Sequence, residues 1–180
     1  MDEKNKIPGV SFIKRNIGTI IGLILLVIIV SISTPKFLTS SNILNLLKSN
    51  SVNAIISCGM LLAILMGEID ISVGSTVGLS GIIGAYMITN VGLPVVPTVL
   101  ICLGVGALVG IVNGVAISYL KVPAFVATLA TQSIGRGLTE IISGGVTIRV
   151  RNTGYTALGN QNVAGISIII IYAAAVLIFT

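Results

Sequence analysis

The sequence predicts an all-α integral membrane protein, a polytopic helical bundle of about six transmembrane helices. Of its 180 residues, 54% are hydrophobic and only 8% are charged, and the mean hydropathy is +1.11. About a quarter of the residues in a soluble domain are charged, so this composition excludes an ordinary soluble fold. Long apolar runs also recur along the whole chain, and a run of about 20 residues crosses the ~30 Å of hydrocarbon in a bilayer.

The apolar runs follow one another with short polar breaks. They cover roughly residues 17–34, 51–67, 71–91, 95–120, 124–143 and 163–180. The second run is short, because Val52 to Met66 would rise only ~22 Å as a helix. It therefore crosses a thinned region or forms half of a broken helix. The fourth run is longer than one crossing requires and is predicted to tilt or to continue past the bilayer.

Basic residues crowd the N-terminus, before the first apolar run. They are Lys4, Lys6, Lys14 and Arg15. The positive-inside rule places such a cluster in the cytoplasm, so residues 1–16 are predicted to be a cytoplasmic N-terminal segment and residues 17–180 a transmembrane domain. This anchor accounts for much of the net charge of +5. Membrane lipid is therefore the expected surrounding, and no nucleic-acid partner is predicted.

Alternation from a cytoplasmic N-terminus sets the side on which each loop lies. Residues 36–50 are expected to be an external polar loop, and residues 144–162 are expected outside as well. Glu68 and Asp70 are expected near the inner face. The basic residues of the loops favour this arrangement only slightly under the positive-inside rule, so the inverted topology stays open.

Catalytic and cofactor sites are not expected. The chain has no His, and both Cys58 and Cys102 fall in apolar runs, where thiols act as packing groups. Neither a metal site nor a redox site is predicted from such a set. The segment LGVGALVG lacks the GxGxxG spacing, and no GxxxxGK[ST] motif occurs, so no nucleotide loop is predicted. We expect a chain that is not an enzyme and needs no cofactor.

The turn GEIDISVGS places acids between two apolar runs. One interpretation is structural: Asp70 or Ser72 caps the helix that follows, because Asp and Ser satisfy free N–H groups of a first turn. The other is functional: Glu68 and Asp70, with Ser72 and Ser75, line a polar path or its gate. A charge at mid-membrane costs about 2.5–3.5 kcal/mol on insertion scales, so it usually faces a cavity or a partner. Capping is favoured for Asp70, and Glu68 is left open.

Small residues recur at helical spacing in two of the runs. Gly74 and Gly78 lie four apart in the third run, and Gly106, Gly110 and Gly114 do so in the fourth. Such faces let helix backbones approach closely within a membrane. We therefore predict that these five glycines set the helix packing.

The fifth run is the most polar. Gln132, Arg136 and Gly137 are predicted to contribute to a solute path or its gate, because polar side chains in membranes face bundle interiors or water. Glu140 lies four residues after Arg136, so an ion pair within the helix is an alternative explanation for both charges. Asn113, in the fourth run, is a further candidate for the path, although a lone Asn often bonds a neighbouring helix.

Two blocks of sequence point to a known family. Residues 51–87, SVNAIISCGMLLAILMGEIDISVGSTVGLSGIIGAYM, resemble the permease subunits of ribose-type monosaccharide ABC importers, whose signature includes a GIDLSVGS-like turn. Residues 112–145, VNGVAISYLKVPAFVATLATQSIGRGLTEIISGG, are similar to the NG, VPFIxTLxT, RG and GG block of that family. The resemblance covers residues 36 to about 149, in the family's order. Glu68 departs from it, because the family usually has a small residue there.

The resemblance implies a complete transport system. The chain would be the first part of a ten-helix-type permease in the bacterial inner (plasma) membrane that passes a ribose-like monosaccharide or a similar small polar solute. Its expected partners are an ATP-binding subunit that hydrolyses ATP, a second permease subunit in a homodimer, and an extracytoplasmic solute-binding protein. Family members continue into a stretch that docks on the ATPase, so this chain is expected to be incomplete.

Two other functions stay open from the residues alone. An ion-coupled secondary transporter or channel could use Glu68 and Asp70 to bind a coupling ion, because broken helices with acids at the midplane are typical of that class. A non-transporting membrane assembly subunit could pack through its glycine faces alone. The first would show uptake driven by an ion gradient, and the second would show no solute flux.

Overall fold

The computed structural model describes residues 15–163 and 165–179 and is helical apart from one small hairpin. The elements are α1 (Ile17–Ser33), α2 (Ser40–Leu65), α3 (Val73–Tyr86), the π-helical turn Met87–Val91, α4 (Val95–Ser118), α5 (Ala124–Ser143), α6 (Thr153–Asn160), β1 (Asn162–Val163), β2 (Ile166–Ser167) and α7 (Ile168–Phe179). The predicted helical class is confirmed. The proposed cytoplasmic segment, with Lys4, Lys6 and Lys14, lies outside the described residues except for its last two positions.

Helices α4 and α5 fall where the sequence predicts them, because a proline precedes or occupies the first turn of each. Residues 36–50 do not form a loop throughout, since α2 begins at Ser40, and their external location stays a prediction. Its start is stabilised by the Asn42 backbone N–H, which lies 3.4 Å from the Thr39 hydroxyl, and by the Asn42 side chain, which donates to the Phe37 carbonyl at 2.7 Å. Helix α2 therefore begins well before the second apolar run.

The last apolar run also differs from its prediction. It was expected to be helical from residue 163, but α7 begins at Ile168. Antiparallel strands β1 and β2 precede it, with Asn162 opposite Ser167 and Val163 opposite Ile166. Gly165 has φ +82° in the tight connection between them. Helix α6 lies in the segment expected as a loop, where Asn152 caps it by accepting from the Tyr155 N–H at 3.0 Å.

The chain divides into two units, and the boundary between Leu47 and Lys48 falls inside α2. In the first unit, α1 has no buried residue. Its apolar side chains are exposed all around the helix, with Ile32 79% exposed. A helix that is apolar on every face is typical of a membrane span.

In the second unit, α3 packs on both α4 and α5. The buried positions are mostly small or hydroxylated, and the most buried side chains are Ser72, Thr98, Thr128 and Ser167. Helices α3 and α5 come close together at Gly135, where an added Cβ would lie 3.1 Å from the Ser75 Oγ. Small residues thus allow these two helices to pack backbone against backbone.

The predicted glycine faces are not used in this packing. A Cβ added at any of Gly74, Gly78, Gly106, Gly110 or Gly114 would meet no atom within 4 Å. Within the described residues, no atom of a neighbouring helix therefore occupies the space that a side chain at these five glycines would fill. The close contacts are made instead by Gly84 and Gly135. A role for the five in packing against other segments stays a prediction.

Large apolar side chains cover the outside of the second unit. Leu103 and Ile111, for example, are 65% and 64% exposed. This inverts the pattern of a soluble protein and suits a surface in contact with lipid. Two described helices, α2 and α4, are long and apolar enough to cross a membrane, and α1 and most of α7 are shorter apolar helices. Helix α3 has only 14 residues and α5 is too polar, so the count of about six spans stays a prediction.

Candidate functional site

A cavity with both polar and apolar walls lies where α2 ends and α3 begins. Helix α2 stops in a Schellman motif: the Gly67 N–H donates to the Ile64 carbonyl at 2.9 Å and the Glu68 N–H to the Ala63 carbonyl at 3.1 Å. Gly67 has φ +78°, the left-handed conformation that this motif needs and that glycine adopts without strain. The glycine of GEIDISVGS therefore turns the chain, and the two acids that follow it, Glu68 and Asp70, line the same cavity.

Asp70, Ser72 and Asn113 form one hydrogen-bonded chain. The Asp70 Oδ1 accepts from both the Ser72 N–H at 2.8 Å and the Ser72 hydroxyl at 2.6 Å. The Asn113 Nδ2 donates to the Ser72 Oγ at 2.9 Å. Ser72 is 1% and Asn113 5% exposed, so the chain ties the start of α3 to α4 inside the bundle. Hydrogen bonds to a carboxylate are stronger than those between neutral groups.

The capping interpretation of the acidic turn is wrong in its simple form. Ser72 occupies the cap position of α3, but its side chain makes no cap hydrogen bond to the helix. The backbone of Ser72 is already helical, with φ −75° and ψ −14°, whereas a capping residue usually has an extended backbone that turns its oxygen toward the N–H groups of the first turn. Asp70 bonds the N–H of the cap residue itself and none of those in the first helical turn.

The cavity beside this chain has a volume of about 340 Å³ and is lined by residues from α2, α4, α5 and the acidic turn. Glu68, Asp70 and Asn113 all line it. Thr128, from α5, completes its polar wall: its hydroxyl donates to the Ala124 carbonyl at 2.8 Å and lies 3.4 Å from the Ile69 carbonyl. The structure therefore brings three of the predicted path residues together.

Glu68 also lines a second, adjoining cavity of about 410 Å³ together with Lys121 and Phe125. Lys121 has φ +57°, an uncommon conformation for a residue other than glycine. The turn between α4 and α5 is therefore strained next to this cavity. Glu68, the residue that departs from the family pattern, thus lines both cavities.

The polar residues of α5 do not join this site. Arg136 and Gly137 are exposed and Gln132 is half-buried. Glu140 lines a separate cavity of about 460 Å³, and it lies 12 positions beyond Thr128, or ~18 Å along the helix. The alternative of an Arg136–Glu140 ion pair is wrong, because no ion pair occurs among residues 15–163 and 165–179. Ser75 is buried, and its hydroxyl donates to the Ser72 carbonyl at 2.8 Å, so it supports α3.

A second polar cluster lies farther along α3 and α4. The Ser80 hydroxyl donates to the Cys102 carbonyl at 3.0 Å, and the Cys102 thiol donates to the Ser80 carbonyl at 3.3 Å. The Tyr155 hydroxyl reaches this pair from α6 and packs against Gly84. Burial raises the pKa of the Tyr155 phenol, and the Cys102 thiol adds to this shift, so the phenol is neutral at physiological pH.

Sequence reasoning missed this cluster, and it noticed Thr128 on the polar side of the fifth run without naming it among the path residues. Ser80 and Cys102 are 22 positions apart, and Tyr155 lies in a segment expected to be a loop, so no local pattern links them. Thr128 carried a usable signal, because it lies four residues before Gln132 on the same side of α5.

Comparison with known proteins agrees with the family suggested by residues 36 to about 149. Ribose import permease protein RbsC of Haemophilus influenzae is 44% identical over 125 residues, which are 69% of this chain and 38% of that protein. RbsC of Bacillus subtilis is 40% identical over 143 residues, 79% of this chain and 44% of that protein. Xylose transport system permease protein XylH of Escherichia coli is 34% identical over 125 residues, 69% of this chain and 32% of that protein.

The chain spans less than half the length of each of these relatives. No solved structure matches it. A family model described as the permease component of the branched-chain amino acid transport system matches residues 42–180. The predicted resemblance to ribose-type permeases is confirmed. The chain therefore belongs to this family of transport-system permease components.

Proposed function

We propose that the chain is the first part of the permease subunit of an ABC importer that moves a ribose-like monosaccharide, or a similar small polar solute, into a bacterial cell. The observation that supports this most is its 44% and 34% identity to a ribose and to a xylose import permease. The polar residues Glu68, Asp70 and Asn113 in the wall of the cavity between α2, α4 and α5 suit that function, because a permease lowers the barrier of hydrocarbon by offering polar groups to its solute.

The rest of the system follows from the family. The full protein has the ten-helix type, of which about six spans lie in this chain, and it sits in the inner membrane with its N-terminus in the cytoplasm. Two copies form the pore, an extracytoplasmic protein delivers the solute, and a separate ATPase subunit supplies the energy. Glu68, Asp70 and Asn113 line the solute path at the inner end of the bundle.

The test is uptake by the full-length permease reconstituted in liposomes with its ATPase and binding protein. We expect radiolabelled ribose or xylose to accumulate only when ATP is present on the ATPase side. The matched control carries a substitution of the catalytic carboxylate of the ATPase, which leaves assembly intact and abolishes accumulation. Absence of ribose, xylose and related sugar uptake with a hydrolysing ATPase would contradict the proposal.

An ion-coupled transporter is the second candidate, because Glu68 and Asp70 line one cavity. Two carboxylates at one cavity could bind a cation during a transport cycle. The same liposomes distinguish it: a sodium or proton gradient without ATP would then drive sugar accumulation. We expect no accumulation under that condition.

A further inference from the structure

Two side chains of opposite charge line the cavity of about 410 Å³ between the acidic turn and the turn that joins α4 to α5. Glu68 belongs to the first turn and Lys121 to the second. The two form no ion pair with each other in the described part of the chain. Glu68 is half-buried and Lys121 is exposed. The cavity therefore presents one carboxylate and one ammonium group that are both open to a ligand.

The lengths of α2 and α4 place these two turns at the level of the lipid headgroups. Glu68 comes three residues after α2 ends at Leu65, and Lys121 comes three residues after α4 ends at Ser118. Helices of 26 and 24 residues rise ~39 and ~36 Å, which exceeds the ~30 Å of hydrocarbon in a bilayer. Both helices are apolar enough to cross a membrane, and the turns that follow them line the same cavity. The two charges are thus expected at one membrane surface.

Exposed apolar side chains flank the charged pair. Ile69 and Phe125 line the same cavity and are exposed, as is Leu120 beside Lys121. Tyr119 is 81% exposed in the same turn. Apolar groups in such a patch suit a surface in contact with lipid, and tyrosine is enriched where the membrane meets water. A ligand of this cavity therefore meets charge at one end and apolar side chains along its flanks.

This arrangement favours a headgroup that carries both charges. A phosphate accepts hydrogen bonds from the Lys121 ammonium, and an amine donates to the Glu68 carboxylate. The same carboxylate repels a headgroup that carries only negative charge. Phosphatidylethanolamine has both a phosphate and an amine, and its acyl chains would lie along Ile69 and Phe125. The competing arrangement is a direct ion pair between Glu68 and Lys121, which would leave the lipid without a charged partner.

We propose that this cavity binds the headgroup of phosphatidylethanolamine, with Lys121 on the phosphate and Glu68 on the amine. The inference goes beyond the proposed function, because it concerns the lipid around the permease and holds for any solute. It also gives a reason for the acid at position 68, where the family usually has a small residue. Relatives without that acid are expected to lack the preference for this headgroup.

The test measures lipid binding to the full-length permease purified with its ATPase and delipidated, by native mass spectrometry. Phosphatidylethanolamine and phosphatidylglycerol with identical acyl chains are titrated in turn. We expect wild type to prefer phosphatidylethanolamine, and Glu68→Gln to reduce that preference roughly two- to fivefold, the effect of one partly exposed charge pair. Lys121→Gln should weaken the binding of both lipids, because both carry the phosphate.

Glu140→Gln is the matched control. It removes an exposed carboxylate from a separate cavity whose described lining includes no Lys or Arg, so the lipid preference should stay as in wild type. Water-soluble phosphoethanolamine carries the same headgroup without acyl chains. We expect it to displace the lipid only at a far higher concentration, because it makes no contact with the apolar flanks of the cavity.

Several results would overturn the inference. Equal binding of the two lipids by wild type, or an unchanged preference in Glu68→Gln, would show that this acid does not select the headgroup. Lys121→Gln that binds both lipids as wild type does would show the same for the phosphate, and a loss of thermal stability in both variants would then indicate a direct ion pair. Displacement by phosphoethanolamine as effective as by the lipid would indicate a site for a soluble solute.

Comigration of each variant with the ATPase in size-exclusion chromatography shows that the complexes compared are folded. Sugar uptake in liposomes is measured separately, and its absence would overturn the importer while leaving the lipid site in place.

Discussion

Two polar clusters join α3 to α4, and they differ in whether their hydrogen bonds are complete. At Ser80 and Cys102 each side chain donates to the carbonyl of the other residue, and Tyr155 fills the space beside Gly84. At Ser72 and Asn113, some 11 positions or ~17 Å farther along α4, the chain of hydrogen bonds ends on an oxygen that has no donor.

This difference shows what each cluster does for the protein. Reciprocal hydrogen bonds between polar groups hold helices together in a membrane. An unsatisfied buried acceptor such as the Asn113 Oδ1 lowers the stability of the fold. The Ser80 cluster therefore contributes to the packing of the bundle, and the Ser72 cluster is the one that we propose lies beside the solute path.

Removing the acceptor that organises the Ser72 cluster should have the largest effect. Asp70→Leu leaves the buried Ser72 N–H and hydroxyl without their partner, and we expect a loss of about 2–3 kcal/mol in unfolding free energy together with loss of sugar uptake. Asp70→Asn is the control, because its amide oxygen accepts the same two bonds and should keep most of the uptake. Loss of uptake in Asp70→Asn at normal membrane levels would mean that the charge itself is needed.

A larger residue at Gly84, beside Cys102 and Tyr155, should destabilise the fold by a similar or smaller amount. A Cβ at Gly84 would lie 2.7 Å from the Cys102 Sγ and would also contact the Tyr155 hydroxyl. We expect Gly84→Ala to cost about 1–3 kcal/mol by overpacking, measured as the thermal midpoint of the permease in detergent.

The rescue variant for this site is Gly84→Ala combined with Cys102→Ala and Tyr155→Phe, which removes both clashing atoms and should restore part of the loss. Gly106→Ala is the control, because an added Cβ there meets no atom within 4 Å. If Gly106→Ala destabilises the full-length permease as strongly as Gly84→Ala, then the predicted glycine face of α4 packs on another segment after all.

The contact between α3 and α5 should be less sensitive. A Cβ at Gly135 would lie 3.1 Å from the Ser75 Oγ and 3.3 Å from its Cβ, so Ser75 must move by a few tenths of an ångström. We expect Gly135→Ala to cost about 1 kcal/mol, near the low end of overpacking. Combining it with Ser75→Gly should recover stability relative to Gly135→Ala alone, and additive losses in the two variants would argue against the contact.

The smallest effect is expected at the charged pair of α5. Arg136 and Glu140 are both exposed and make no ion pair with each other in the described structure. We expect Arg136→Gln and Glu140→Gln to change the unfolding free energy by about 0.5 kcal/mol or less, as at ordinary surface positions. A double-mutant cycle gives their coupling. A coupling clearly above about 0.5 kcal/mol would restore the ion pair that the sequence suggested.

Local chemistry made much of the helical pattern predictable. Proline at the first turn and a change from apolar to polar residues mark the bounds of α4 and α5. The start of α2 and the β1–β2 hairpin escaped prediction, because SSNILNLLKSN is mixed in polarity and the hairpin is too short to show a period of two. Periodicity identifies an element only when one of its faces differs from the other over several turns.

The sequence identified individual residues of the candidate site, but it did not show that they lie close together. Glu68, Asp70, Ser72 and Asn113 each stood out as polar positions in apolar surroundings. Their grouping could not be inferred, since Ser72 and Asn113 are 41 positions apart and meet only when α3 packs on α4. The same sequence reasoning gave equal standing to Gln132 and Arg136, which the fold leaves outside the cavity.

The sequence by itself determined that this is a helical membrane protein of a permease family, because composition, apolar run length and motif order are properties of the chain and need no packing. Only the tertiary structure decided which glycines are close contacts, which acids line the cavity and which Asn113 atom is left without a donor. The reason is physical: a hydrogen bond and a van der Waals contact depend on distances of a few ångströms between helices, and a sequence fixes such distances only after the helices pack.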